Sequence, residues 1–208
     1  MKKLLVLLLS LFFLSSPSVF ADDISDFKIE GIGIGESLLD YMTEDEILKQ
    51  IEKTKDYYLH LNEPNKYAHV FFQGKDFQTY YALTFLVKNN SSNNYVTNKN
   101  EKYMILSVRG DKKYINDFDS CIQKRDEIVE VLSLMFINAD KFESFLSHPA
   151  DPSGNSSADM VSFYFEEGHT ANVYCDNFEE SLRINNNWSE GLTVEINSEE
   201  IDSWGNDY

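Results

Sequence analysis

Apolar residues recur at intervals of three and four along one extended stretch of this chain, residues 117–136. This spacing places them on a single face of a helix, so the stretch predicts the longest helix of the protein. Cys121 and Arg125 lie on that face. A shorter helix is predicted at residues 44–55, because Thr43 and Glu46 form a capping box before an amphipathic run.

Several other stretches alternate apolar and polar residues with a period of two. They are rich in aromatic and β-branched side chains, which favours strands, and glycine-containing turns such as residues 74–76 and Gly168 join them. We expect six strands, at residues 67–73, 79–88, 103–109, 160–166, 170–177 and around 192–196.

The order of these elements predicts the fold class. A weaker amphipathic pattern with Phe142, Phe145 and Leu146 indicates a further helical segment before Pro149, and residues 198–204 indicate a short closing helix. Strands follow one another through short turns, and the helices come in a few blocks. The sequence therefore predicts an α+β fold, an antiparallel sheet of about six strands with a long helix packed on one face.

The N-terminus has the three parts of a secretory signal peptide. Lys2 and Lys3 precede an apolar run at residues 4–14, and Val19 and Ala21 stand at the −3 and −1 positions of a cleavage site. We expect cleavage after Ala21, which leaves residues 22–208 as a single domain with a disordered leader at 22–26. The predicted location is periplasmic or secreted, without stable membrane insertion after cleavage, since no later apolar run approaches the roughly 20 residues that span a bilayer.

The chain contains two cysteines, and an oxidising compartment favours a disulfide between them. Cys121 lies on the apolar face of the long helix, and Cys175 shares a strand face with Ala171 and Val173. A helix packed across the sheet would point the two side chains towards each other. Two buried free thiols are the alternative, whereas an apolar helix face disfavours a catalytic cysteine.

The net charge of the chain is −17. Such a surface repels phosphate groups, so nucleic acid is not an expected partner. Strong acidity commonly serves solubility, although it leaves a cationic or metal-ion partner open. The four histidines include no pair at the spacing of a helical metal site, and no cofactor is predicted.

The block Gly35-Glu36-Ser37-Leu38 resembles the nucleophile block of GDSL-type serine esterases, which also follows a signal peptide and precedes a helix. The resemblance covers four residues and implies a nucleophilic role for Ser37. The chain departs from the family at Glu36, and the nearest counterpart of the family's D-x-x-H block is Glu166 with His169. From the residues alone, Ser37 is expected to cap a short helical turn.

Asp151, Ser153 and Asn155 place oxygen atoms at the first, third and fifth positions of a calcium loop. An EF-hand loop also needs glycine at its sixth position and glutamate at its twelfth, and this chain has Ser156 and Ser162 there. The segment is therefore interpreted as a tight polar turn, with a weak calcium site as the alternative hypothesis.

Several segments together resemble a group of small exported bacterial proteins with no assigned activity. They are residues 29–42 (IEGIGIGESLLDYM), the helix with Cys121, residues 148–156 (HPADPSGNS), and the hairpin that ends in residues 174–176 (YCD). The resemblance implies export and a shared small fold, and it carries no catalytic residue. We expect a non-enzymatic binding or interaction module of the cell envelope, whose partner is an envelope protein or a small ligand. A serine esterase-like hydrolase using Ser37 and a calcium-stabilised surface module are the alternatives. Ligand contacts are expected in the loops at residues 31–35 and 148–157.

Overall fold

A seven-stranded antiparallel sheet organises the protein. The computed structural model describes residues 24, 27–54, 66–72, 77–89, 101–148, 151–186 and 188–205. The described part of the chain forms seven strands, which are β1 (Tyr67–Phe72), β2 (Ala82–Lys88), β3 (Ile105–Lys113), β4 (Asp140–Ser147), β5 (Ser157–Tyr164), β6 (Thr170–Asn177) and β7 (Gly191–Asn197). Their order across the sheet is β1-β2-β3-β7-β6-β5-β4.

Four α-helices accompany the sheet in the described residues: α1 (Glu44–Thr54), α2 (Phe118–Met135), α3 (Glu180–Asn186) and α4 (Glu199–Gly205). The α+β class is therefore confirmed, although the sheet has seven strands and not six. Helix α3 has no counterpart among the predicted elements, and the predicted turn at residues 74–76 lies outside the described residues.

The seventh strand is β4, at the position where a helical segment was predicted, and that prediction is wrong. Each residue of β4 pairs with β5, from Asp140 opposite Tyr164 to Ser147 opposite Ser157. Phe142 and Phe145 suggested a helical face, but the two residues are 59% and 66% exposed. Their spacing therefore does not reflect burial, and continuous pairing with β5 determines the local structure.

Helix α2 begins and ends where its sequence indicated. The Asp117 side chain accepts a hydrogen bond from the Ser120 amide (3.4 Å), which caps the first turn, and the Phe136 amide closes the last turn on the Leu132 carbonyl (2.8 Å). The buried face of the helix packs on β6 and β7. Cys121 and Cys175 form a disulfide with a Cα–Cα distance of 6.0 Å, which confirms the predicted pairing.

The hydrophobic core lies between the sheet and helices α1 and α2. It includes fully buried residues from central strands, such as Phe85, Val108 and Val173. Ile24 also belongs to this core and is fully buried. This position therefore does not fit the predicted disordered leader, whose other residues are not among those described.

Strand β3 continues four residues beyond its predicted end, because its partner β7 pairs with it as far as Lys113 opposite Gly191. Gly110 stands in this added part. A Cβ atom there would lie 2.9 Å from the Tyr80 ring and 3.0 Å from Ile29. The missing side chain thus lets the segment around Ile29 pack directly on the strand.

Candidate functional site

The sheet face opposite α2 is polar along its centre, and we call it the open face. Cross-strand neighbours share a face of a sheet, and the pairing aligns one continuous row across all seven strands. The row runs through Phe71, Thr84, Arg109, Glu195, Asn172, Ser162 and Phe142. Arg109 and Glu195 face each other at its centre because β3 and β7 are neighbours.

Two adjoining cavities lie over the open face. The first has a volume of 880 Å³ and lies between the central strands and α4, which contributes Asp202 to its lining. The second has a volume of 620 Å³ and lies over the Asp176 end of β6. Three residues line both cavities and mark the junction, namely Phe71, Arg109 and Asp111.

Arg109 is held in a fixed arrangement at this junction. Its Nε donates to Asp111 Oδ1 (2.9 Å), and its Nη2 donates to Thr193 Oγ1 (3.3 Å). The Thr193 hydroxyl in turn donates to the same Asp111 oxygen (2.9 Å). The guanidinium carbon lies 5.7 Å from the centroid of the Tyr174 ring, a cation–π distance. Because guanidinium carries five N–H groups, this arrangement leaves donors that can meet a ligand.

The carboxyl groups of the cavities differ electrostatically from those elsewhere on the protein. Burial raises the pKa of Asp176 to about 6, against the opposing effects of Arg109 and His148. Burial also raises the pKa of Glu195 and of Asp202, although Arg109 opposes the shift at Glu195 and a hydrogen bond with Thr170 opposes it at Asp202. These three are the only carboxyl groups with a raised pKa in the described part of the chain, and all three line the cavities. Such groups are enriched at functional sites.

Ser37 is a buried residue whose hydroxyl is engaged in hydrogen bonds with the backbone. The residue is 3% exposed. Its hydroxyl donates a hydrogen bond to the Lys102 carbonyl (2.7 Å) and accepts one from the Leu39 amide (3.3 Å). The latter bond caps the 3-10 turn Leu38–Asp40, as expected from the residues alone. Glu36 accepts hydrogen bonds from the Gly33 amide and the Tyr41 hydroxyl and so closes the neighbouring loop.

The segment at Asp151 is a polar turn whose carboxylate is already occupied. Asp151 Oδ1 accepts from the amide (2.8 Å) and the hydroxyl (2.6 Å) of Ser153, and Oδ2 accepts from the Ser156 amide (2.7 Å). These hydrogen bonds lower the pKa of Asp151. The Asn155 amide donates to Ser153 Oγ (3.3 Å), so the three residues of the calcium hypothesis hold the turn together.

Arg125 also has a structural position. Its side chain is 11% exposed and pairs with Asp126 and with Asp159 of β5, so it links α2 to the sheet. Gly31 and Gly35 adopt φ angles of +82° and +81°, which allow the bends of their loop. Of the two loops expected to contact a ligand, the loop at residues 148–157 contributes its first residue, His148, to the lining of the second cavity.

The residues of the open face were not identified from the sequence. The alternation in β3, β6 and β7 indicated which positions are apolar and hence which are polar. It did not indicate that Arg109, Glu195 and Asp176 lie under cavities. The sequence did contain one signal for this site. Arg109 and Glu195 are charged residues in the middle of strands β3 and β7, where a purely structural sheet would not need them.

Across the residues that the structure describes, no group of three or more His, Cys, Asp and Glu side chains could hold a metal ion. None of the helices in this part of the chain is long and apolar enough to cross a bilayer. Comparison of the chain with protein-family models, curated proteins and solved structures gives no match.

Proposed function

We propose that this protein is an exported, non-enzymatic binding module of the cell envelope that holds a small polar ligand on the open face of its sheet. The observation that carries the proposal is the row of polar side chains under the first cavity. The volume of the first cavity, 880 Å³, falls within the usual range for small-molecule sites, about 300–1,000 Å³. Export rests on the predicted signal peptide, and the disulfide supports an oxidising compartment.

The polar side chains of the cavity suit binding. Glu195 interacts with the side chains of Asn172 and Asn197, and Arg109 is fixed by Asp111 and Thr193. Groups that neighbours hold in place lose little conformational freedom when a ligand binds. A site of this kind recognises a ligand that combines hydrogen-bonding groups with charge.

The burial of Glu195 destabilises the fold, and this is the second observation that supports a binding function. Glu195 has a raised pKa because burial disfavours its charged form. A strand whose only task was to complete the sheet could carry a neutral residue at this position at a lower free-energy cost. A ligand that donates hydrogen bonds to Glu195 would compensate for this burial.

Ligand capture tests the proposal. The protein, purified from the exported fraction of an expression host, is immobilised and exposed to the small-molecule fraction of an envelope extract. Retained compounds are eluted and identified by mass spectrometry. We expect a compound that wild type retains and that Arg109→Gln and Glu195→Gln lose. Glu130→Gln on the exposed side of α2 is the matched control and should retain it. Equal retention by all four proteins, or retention by none, contradicts the proposal.

The two alternatives have separate readouts. A fluorophosphonate probe that labels wild type but not Ser37→Ala would support an esterase and overturn the binding module. A rise of the melting temperature with millimolar calcium that Asp151→Asn abolishes would support the calcium-stabilised module. We expect neither, because Ser37 is a buried cap and the Asp151 carboxylate is occupied.

A further inference from the structure

Three aromatic side chains meet at the edge of the second cavity, and we call them the aromatic cluster. They are His148 after β4, Phe178 after β6 and Trp188 before β7. Their ring centroids lie 5.2 Å (His148 to Phe178), 4.9 Å (His148 to Trp188) and 5.0 Å (Phe178 to Trp188) apart. Residues from three separate loops thus place their rings together over one end of the open face.

The backbone beneath these rings is fixed. The His148 amide donates to the Ser156 carbonyl (2.9 Å), and the Trp188 amide donates to the Arg183 carbonyl (3.0 Å). The Phe178 amide donates to the Glu190 carboxylate (3.3 Å). The aromatic cluster is therefore held in place before any ligand arrives.

Three carboxylates line the same cavity, and two of them are occupied by the protein itself. Asp111 accepts from Arg109 and Thr193. Glu190 accepts from the amides of Asn116 and Phe178. Asp176 differs, because no side chain or amide among the described residues donates a hydrogen bond to it or forms an ion pair with it. It is the carboxylate that is left for a ligand.

The cationic groups near Asp176 do not replace a ligand. Arg109 is bound to Asp111 and Thr193, and Lys112 Nζ lies over the Tyr114 ring at 5.7 Å. Arg109 and His148 act on Asp176 only at longer range, and Asp111 opposes them. A cation that entered the cavity would meet a carboxylate without a close partner and the aromatic rings of Phe178 and Trp188.

We propose that the second cavity binds an organic cation, with its ammonium group between the Asp176 carboxylate and the aromatic cluster. A carboxylate combined with aromatic rings is the arrangement that recognises quaternary and methylated ammonium groups. The proposal rests on the binding function proposed above and assigns its ligand class. The rest of the ligand would extend past Arg109 into the first cavity, since the two cavities adjoin there.

Choline is a suitable probe because 3,3-dimethylbutan-1-ol has nearly the same shape and no charge. Binding is followed by calorimetry and by the fluorescence of Trp188 in a Trp204→Phe background, which leaves one of the two tryptophans of the chain. We expect saturable binding of choline and none of the neutral compound. Ethanolamine, which is choline without its three N-methyl groups and has the same charge, tests whether the rings contribute, and we expect it to bind more weakly than choline.

Two aspartate variants with the same change of charge locate the site. Asp176→Asn should weaken choline binding by about tenfold or more, since it removes the carboxylate that pairs with the cation. Asp119→Asn, on the exposed first turn of α2, should bind like wild type. Trp188→Leu should also weaken binding, and melting curves of all variants establish that they are folded. Binding should decline as the pH falls through about 6, where Asp176 takes up a proton.

The outcomes separate the two proposals. Equal binding of choline and its neutral analogue, or equal binding by wild type and Asp176→Asn, overturns the cation site. If choline fails to bind while the extract still yields a compound that depends on Arg109 and Glu195, the cation class is wrong and the binding function stands. If both experiments fail, both proposals are overturned.

Discussion

Reduction of the disulfide should lower the stability of this protein by an amount that depends on the number of residues between the two cysteines. Cys121 and Cys175 are 54 residues apart in sequence. In the loop-entropy model, a link that closes a loop of this size stabilises the folded state by about 4 kcal/mol, because it restricts the unfolded chain. For a chain of this length, that corresponds to a fall in melting temperature of roughly 8–16 °C on reduction.

Burial of the disulfide determines how the experiment is done. Both cysteines are fully buried, so a reductant reaches the bond only when the protein opens. Samples are therefore unfolded in urea with or without reductant, refolded by dilution, and compared in equilibrium urea titrations followed by circular dichroism. The variant Cys121→Ala/Cys175→Ala serves as the control, since its stability should not respond to reductant.

The reasoning is refuted if oxidised and reduced wild type differ by less than about 1 kcal/mol, well below the loop-entropy value. It is also refuted if non-reducing peptide mapping fails to recover the two cysteine peptides joined. The slope of the urea titration should increase on reduction, because an unlinked unfolded chain exposes more surface.

Three further variants test other parts of the structure. Asp176→Asn should stabilise the protein by about 1–3 kcal/mol above pH 7 in urea titrations, and this gain should vanish near pH 4. The reason is that the pKa of Asp176 is about 6 in the folded protein and 3.8 ordinarily, so that ionisation of the carboxyl above pH 6 destabilises the folded state. The Asp151 carboxylate has the opposite effect on stability, because its pKa is lowered in the folded protein and its ionised form stabilises the fold above about pH 4. Asp151→Asn should therefore lose less stability than wild type on acidification. Gly110→Ala should lower stability by about 1–3 kcal/mol in the same assay, because its Cβ would lie 2.9 Å from the Tyr80 ring.

Local signals predicted much of the fold. The limits of α2 followed from Asp117 and the end of the apolar spacing, and both act within one or two turns of the chain. Strand β6 was predicted from residue 170 to residue 177, as the structure has it, because its alternation is regular. Cys175 belongs to the apolar half of that alternation, which is why the disulfide could be inferred.

The prediction failed where pairing between distant segments decides the outcome. Phe142 and Phe145 have helical spacing, but β5 holds their segment in the sheet. The candidate site depends on the same kind of information. Arg109 and Glu195 are more than 80 residues apart in sequence, and they meet only because β3 and β7 are neighbours in the sheet. No local pattern contains that adjacency, and so the polar residues of the open face could not be assigned to one site.

Buried and cavity-lining residues alternate along β7, so substitutions at neighbouring positions have different consequences. Leu192, Val194 and Ile196 are buried against the helices, whereas Thr193 and Glu195 line the cavities. Substitutions in the first set alter how firmly the domain is folded, and conservative polar exchanges in the second alter what it contacts. If the open face binds a ligand as we propose, ligand preference can change through substitutions at every second residue of β7, while the apolar residues that hold the fold stay the same.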